Sequence, residues 1–160
     1  FAVGAVVMDV SGVVHDEFSA RCRVITQIDP WVKENVLPAI ADMPVTHDTY
    51  VEMREAFWAW YLQAMLQADY VVVSNGYPVE YRFLLDCQEA DLTERYWQHP
   101  FPILDLTSLL LQVVHQSESK HKLSSTIKKA GSYVQHHPLH DAKVTALMAF
   151  EAFRQAGQIK

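Results

Sequence analysis

DYVVVSNGYPVEYRFLLDCQ, residues 69–88, runs from three consecutive valines into a helix-forming segment through one short turn. Val71, Val72 and Val73 are β-branched and bounded by polar residues, which predicts a short strand. Asn75-Gly76 is a turn signal, and Pro78 stands where the first turn of a helix accepts a proline, so YPVEYRFLLDCQ is predicted to be helical. Strand, turn and helix in this order form the basic step of an α/β fold.

Working outward, FAVGAVVMDV (1–10) and VVHDEFSARCRV (13–24) are β-type runs on either side of Ser11-Gly12, which predicts a hairpin. Pro30, Pro38 and Pro44 mark residues 29–47 as a loop with a short helical piece around WVKENVL. Asp48-Thr49 is an N-cap signal for YVEMREAFWAWYLQAML (50–66), in which Met53, Phe57, Trp60 and Ala64 share a predicted core face and Trp58 falls off it. FPILDLTSLLLQVVHQ (101–116) reads as a short strand and a helix capped by Asp105 or Thr107. SESKHKLSSTIKKAGSY (117–133), polar and basic without a strong period, reads as a mobile loop with some helix. HDAKVTALMAFEAFRQAG (140–157) is a closing helix with Val144, Leu147, Met148 and Phe150 to Phe153 inward and Gly157 as its stop. A hairpin followed by alternating helices and strands predicts an α/β class with one mixed sheet covered by helices, in a single domain over 1–160.

Thirteen Lys and Arg against nineteen Asp and Glu make the chain mildly acidic, which argues against binding a polyanion by bulk charge; a local patch or a metal would be needed. Cys22 and Cys87 are too few for a disulfide framework, and no apolar run reaches the length of about eighteen residues that spans a membrane. The expectation is a soluble, cytoplasmic protein with no membrane partner. The chain opens on Phe1 without an initiator Met, so the expectation is also that the natural chain begins earlier.

Two helix entrances collect ionisable groups. In VQHHPLHDAKVTALM (134–148), His136 precedes Asp141 in the sequence by a loop-length interval, and Asp141 opens the closing helix. A carboxylate there is held by helix geometry and favoured by the helix dipole, while a loop imidazole of near-neutral pKa suits deprotonation of a water. The plain alternative is a capping aspartate beside solvated histidines. Glu80 lies in the first turn after the strand 71–73, at the carboxyl end where ligands collect in open α/β sheets. Its plain alternative is an acid complementing a helix dipole.

Taken together, the strand-Asn-turn-acid segment VVVSNGYPVEYRFL, the later ILDLTSLL and the terminal His-x4-Asp-Ala before a helix resemble the DEDDh 3′-to-5′ exonucleases, the family of polymerase proofreading subunits, ribonuclease T and oligoribonuclease. FAVGAVVMDVSGVVHDEF resembles the second and third strands of that ribonuclease-H-like fold. The resemblance spans nearly the whole chain and implies a mixed β-sheet flanked by helices. It implies that Asp141 is the last metal-binding aspartate, His136 the general base, and Glu80 the middle acid. The family normally has Asp at that position, and the spacing from Asn75 is one residue longer than usual. The family's first motif, an Asp-x-Glu on the central strand, would precede Phe1.

The resemblance further implies two Mg²⁺ or Mn²⁺ ions held by Asp141 and Glu80 with other ligands, and release of 5′-monophosphates from single-stranded RNA or DNA 3′ ends. Asn75 and Tyr77 at the turn, and Lys120 and Lys122 with Lys128 and Lys129, are candidate substrate contacts. Many relatives pair as homodimers, for which the Trp58 face is the candidate surface. A competing register, His140 to Thr145, would put a threonine in place of the acid. Three readings stay open: an active exonuclease, a degenerate member that binds nucleic acid or protein without cutting, and an unrelated α/β binding module.

Overall fold

The computed structural model describes residues 1–24, 26–74, 76–113 and 118–159. Strand β1 (Ala2–Met8) pairs antiparallel with β2 (Val14–Arg21), with Ala5 opposite Phe18 and a register shift after Val7. The turn is organised by Asp9, whose carboxylate accepts from the Ser11 amide at 2.8 Å, the Ser11 hydroxyl at 2.6 Å and the Val13 amide at 3.1 Å, while Gly12 takes φ 81°. These bonds, with that to His15, hold the Asp9 carboxyl well below the usual carboxylate range. The predicted hairpin is therefore present, with its turn chemistry supplied by Asp9 as much as by Ser11-Gly12.

Pleating sends alternate residues of β2 to opposite faces. Phe18 and Ala20 face helix α2 (Tyr50–Ala64), where Asp16 also accepts from the Trp60 indole at 2.8 Å. Glu17 points the other way and pairs with Lys143 of α7 (Pro138–Gln155) at 2.6 Å. Before α2 runs the short helix α1 (Pro30–Asn35), close to the expected position. Helix α2 starts at Thr49 with a complete capping box, Thr49 and Glu52 each satisfying the other's backbone.

Strand β3 (Val71–Val73) is followed by a wide π-type turn over 76–80, then α3 (Tyr81–Glu89) and the single-turn α4 (Leu92–Arg95). Strand β4 (Ile103–Asp105) lies parallel to β3 and leads straight into α5 (Leu106–Val113), where the Asp105 carboxylate caps the Ser108 amide at 2.8 Å. Two of the sequence expectations need correction. Among the described residues the strands form two separate two-stranded sheets, β1-β2 and β3-β4, and not one mixed sheet. The stretch expected to be mostly loop contains helix α6 (Glu118–Gly131), because Leu123 and Ile127, one turn apart, give it an apolar stripe that packs on α5 and α7.

The α/β class itself holds. Both sheets are covered on one side by α2 and α3, with Met53, Phe57, Phe83 and Cys87 at the centre of that core. On the other side Leu106, Leu110, Val144, Met148 and Ala152 join α5 to α7. Trp58, expected off the core face, is buried, and Trp60 is only half-buried. The reason is tertiary: Arg95, brought back by α3 and α4, lies 5.2 Å over the Trp58 ring and pairs with Glu55. Trp58 is therefore not exposed to serve as the candidate homodimer surface.

Helix α7 lies across β1 and also touches β3. At Gly4 its backbone comes so close that a Cβ would stand 2.3 Å from the amide nitrogen of Leu139. Only a residue without a side chain permits this approach. Gly4→Ala should destabilise the fold by about 1–3 kcal/mol in urea unfolding, the usual cost of overpacking. Cys22 and Cys87 are both buried, and burial pushes the Cys87 thiol up to about 12. Neither should react with maleimide at pH 8 until denaturant is added; rapid labelling of the folded protein would contradict this packing.

Candidate functional site

The entrance of α7 is built from a strained loop. Ser132 and His136 both have positive φ, 54° and 65°, a conformation uncommon for residues other than glycine. His136 immediately precedes His137, the N-cap of α7, and the helix begins at Pro138, two residues before the expected start at His140, because a proline is accepted in the first helical turn. The helix register is set at once, since the Asp141 amide donates to the His137 carbonyl at 2.9 Å.

Two further histidines brace this entrance. The His137 and His140 rings stack at 4.2 Å with an interplanar angle of 29°. His140 Nδ1 accepts from the Val134 amide at 3.0 Å, which requires Nδ1 to be unprotonated. Burial is the main cause that lowers the His140 pKa, with the positive charges of His137 and Lys143 adding to it and Asp141 opposing. His137 Nδ1 is buried with no hydrogen-bond partner among the described residues. The His140-to-Thr145 register fares poorly here, because His140 is committed to the loop and Thr145 is buried in the helix packing face.

Asp141 and His136 do come together. The Asp141 carboxylate is half-buried, and desolvation raises its pKa; the charge of Lys128, then that of His136 and the His136 backbone amide, work in the opposite direction. Lys128 of α6 is the nearest cation, with Nζ 3.8 Å from Asp141 Oδ1. The His136 ring meets Trp31 of α1 edge to face at 5.4 Å, a neighbour that no local pattern announces. His137 and His140 were visible as a cluster, yet their bracing role depends on the loop curling back over the first turn.

Glu80 is the last residue of the turn ahead of α3 and is half-buried. Among the described residues no group of three or more His, Cys, Asp or Glu side chains is arranged to hold a metal ion. Asn75 lies outside the described residues, as do the side chains of Tyr77 and Lys120. Lys122 is on α6 and exposed. A shallow cleft elsewhere, lined by Arg23, Val45, Thr46, His47, Asp48 and Glu52, contains none of these residues. No described helix is long and apolar enough to cross a membrane.

Comparison with protein-family models, curated proteins and solved structures gave no significant match.

The Asp141 environment has a testable cost. Its folded pKa is raised above the ordinary 3.8, so the folded state binds the proton more tightly than the unfolded chain. Stability therefore falls as pH rises from the unfolded value through the folded one, and the whole penalty is present at neutral pH. Asp141→Asn should melt at a higher temperature than the parent at pH 7, with the gain shrinking as pH is lowered through the carboxylate range. Thermal melts across that range check it, and equal melting at pH 7 would count against the burial argument.

Proposed function

We propose that the chain is a metal-dependent 3′–5′ exonuclease of the DEDDh type with a ribonuclease-H-like fold, acting on single-stranded RNA or DNA. The observation that carries this reading is the α7 entrance: a histidine held in a left-handed backbone conformation beside a half-buried carboxylate in the first turn of a helix. Strained backbone and an imperfectly compensated carboxylate both cost stability, and such costs concentrate at functional sites.

Fold-level support comes from the strands. The antiparallel hairpin, the parallel β3-β4 pair and the α/β class support the reading. The ribonuclease-H-like arrangement has one further strand, bearing Asp-x-Glu, between the equivalents of β1 and β3. In keeping with this, β1 and β3 each pair on one edge only among the described residues, and α7 touches both.

The donor chemistry suits hard divalent cations. Asp141 offers a carboxylate whose desolvation is only partly offset by an ammonium at 3.8 Å, and Glu80 offers a second. Mg²⁺ or Mn²⁺, when bound by these carboxylates, would supply Lewis-acid stabilisation of a phosphodiester under attack. Two carboxylates are fewer than a pair of such ions needs, so the remaining oxygens must come from other residues, water and substrate. Among the chain's own groups, His136, whose backbone amide donates to the Asp141 carboxylate, takes the proton from the attacking water. Lys128 and Lys122 on α6 bind phosphates of the strand, and the terminal nucleotide leaves as a 5′-monophosphate.

A second reading draws on Lys128 itself. A lysine neutralising Asp141 is also what a degenerate, non-cleaving nucleic-acid-binding or protein-binding relative would carry.

A time course on 5′-labelled single-stranded RNA and DNA with Mn²⁺ separates the two. The exonuclease should give a ladder shortening from the 3′ end, abolished by chelator and by Asp141→Asn. His136→Ala should slow it by about 10²–10⁴-fold, the usual worth of a general base. Binding of the same strands without any ladder, unchanged in Asp141→Asn, would decide for the binder.

A further inference from the structure

The segment after α3 exposes more aromatic surface than a solvated turn requires. Trp97 is 85% and Phe101 80% exposed, and Leu92 and Tyr96, one helical turn apart, are exposed in the same short segment. Tyr96 and Trp97 pack edge to face at 4.8 Å. A single exposed apolar residue is ordinary, whereas several large exposed apolar and aromatic residues within one short segment are typical of interfaces.

This surface is held in place. The Gln88 side chain donates to the Tyr96 carbonyl at 3.0 Å, the Tyr61 hydroxyl donates to the Gln98 carbonyl at 3.0 Å, and the Gln98 amide donates to the Arg95 carbonyl at 3.0 Å. The aromatic side chains thus project from an anchored backbone, and little ordering remains to be done on binding.

Charge identifies the partner. Between Arg82 and Lys120 the sequence contains a single Lys or Arg, Arg95. Its guanidinium is turned inward, paired with Glu55, bonded to the Cys87 carbonyl at 2.7 Å and stacked on Trp58. Asp91 and Glu94, on the same turn as Leu92, have no ion-pair partner among the described residues. The segment 91–101 is therefore aromatic and acidic, with its one arginine turned away from solvent. A nucleic-acid strand would meet carboxylates, and a second copy docked face to face would oppose like charges.

We infer that Leu92, Tyr96, Trp97 and Phe101, with Asp91 and Glu94, form a docking surface for a cationic amphipathic helix of another protein, its apolar face on the aromatics and its Lys or Arg side chains on the carboxylates. Cationic groups also gain from the faces of Trp97 and Tyr96. This inference is independent of the chemistry at α7.

The test uses the full chain and two dye-labelled amphipathic peptides of ~18 residues, five helical turns, built from Leu and Lys or from Leu and Glu. Fluorescence anisotropy should show binding of the Lys peptide and not of the Glu peptide, weakened by salt because exposed charges are screened beyond a Debye length of about 10 Å at 0.1 M. Trp97→Ala with Phe101→Ala, which leaves the charge intact, should weaken binding at least ~10-fold, as loss of aromatic anchors does. Asp91→Asn with Glu94→Gln should weaken it as well. Equal binding of both peptides, or binding by the aromatic variant as tight as by the parent, would overturn the inference. So would sedimentation showing a self-associated parent that becomes monomeric in the aromatic variant, since the occupant would then be a second copy.

Discussion

The contact at Gly4 is the constraint on which the rest of the arrangement depends. Where most strands keep a helix at side-chain distance, β1 lets the backbone of Pro138 and Leu139 come down onto it. That single approach sets the height of α7 above the sheet, and with it the position of everything that the helix entrance presents. His136 and Asp141 are within a few residues of the contact, so the geometry of the candidate chemistry is inherited from a strand near the other end of the chain. Lys143 and Glu17 then fix the rotation of the helix on the hairpin.

Around that contact the molecule divides its apolar and polar duties between the two sides of the strands. The α2 and α3 side is aromatic and almost wholly dry, with Phe18, Phe57 and Phe83 in ring contact. The α5 to α7 side is aliphatic in its centre and becomes polar toward the α7 entrance, where three histidines, a lysine and a half-buried carboxylate gather. Putting ionisable groups at the rim of a packed layer allows partial desolvation without full burial. A carboxylate in such a place keeps access to solvent ligands while its charge is poorly screened.

How much of this was legible depended on how local each feature is. The start of α7 at Pro138 lies two residues before the expected one, whereas the hairpin and the Thr49 cap are short-range signals and were readable as such. So was the pairing of His136 with Asp141, because both lie in one loop-to-helix passage. Helix α6 was hidden by its composition: its apolar stripe over the described side chains rests on Leu123 and Ile127, too thin to stand out among lysines and serines. Trp58 and Trp60 point to different sides of α2, and the side bearing Trp58 is covered only because α4 returns Arg95 over it. The split of the strands into two sheets, and the relation of Glu80 to Asp141, are matters of tertiary placement that no period in the sequence encodes. Trp31 reaches His136 from the short helix α1, and nothing in its own neighbourhood points there.

The approach of α7 to β1 also has a kinetic side. It joins residues separated by nearly the whole length of the chain, whereas the hairpin, the α3–α4 return and the β3-turn-α3 step are all local. Contacts of such high sequence separation form at a large loop-closure cost and repay it only once made. The local pieces can be organised early, but the surface of β1 that receives the helix must wait uncovered until the final closure. The candidate site would then come into being in the last step of folding, since its residues have no defined positions until that closure is complete.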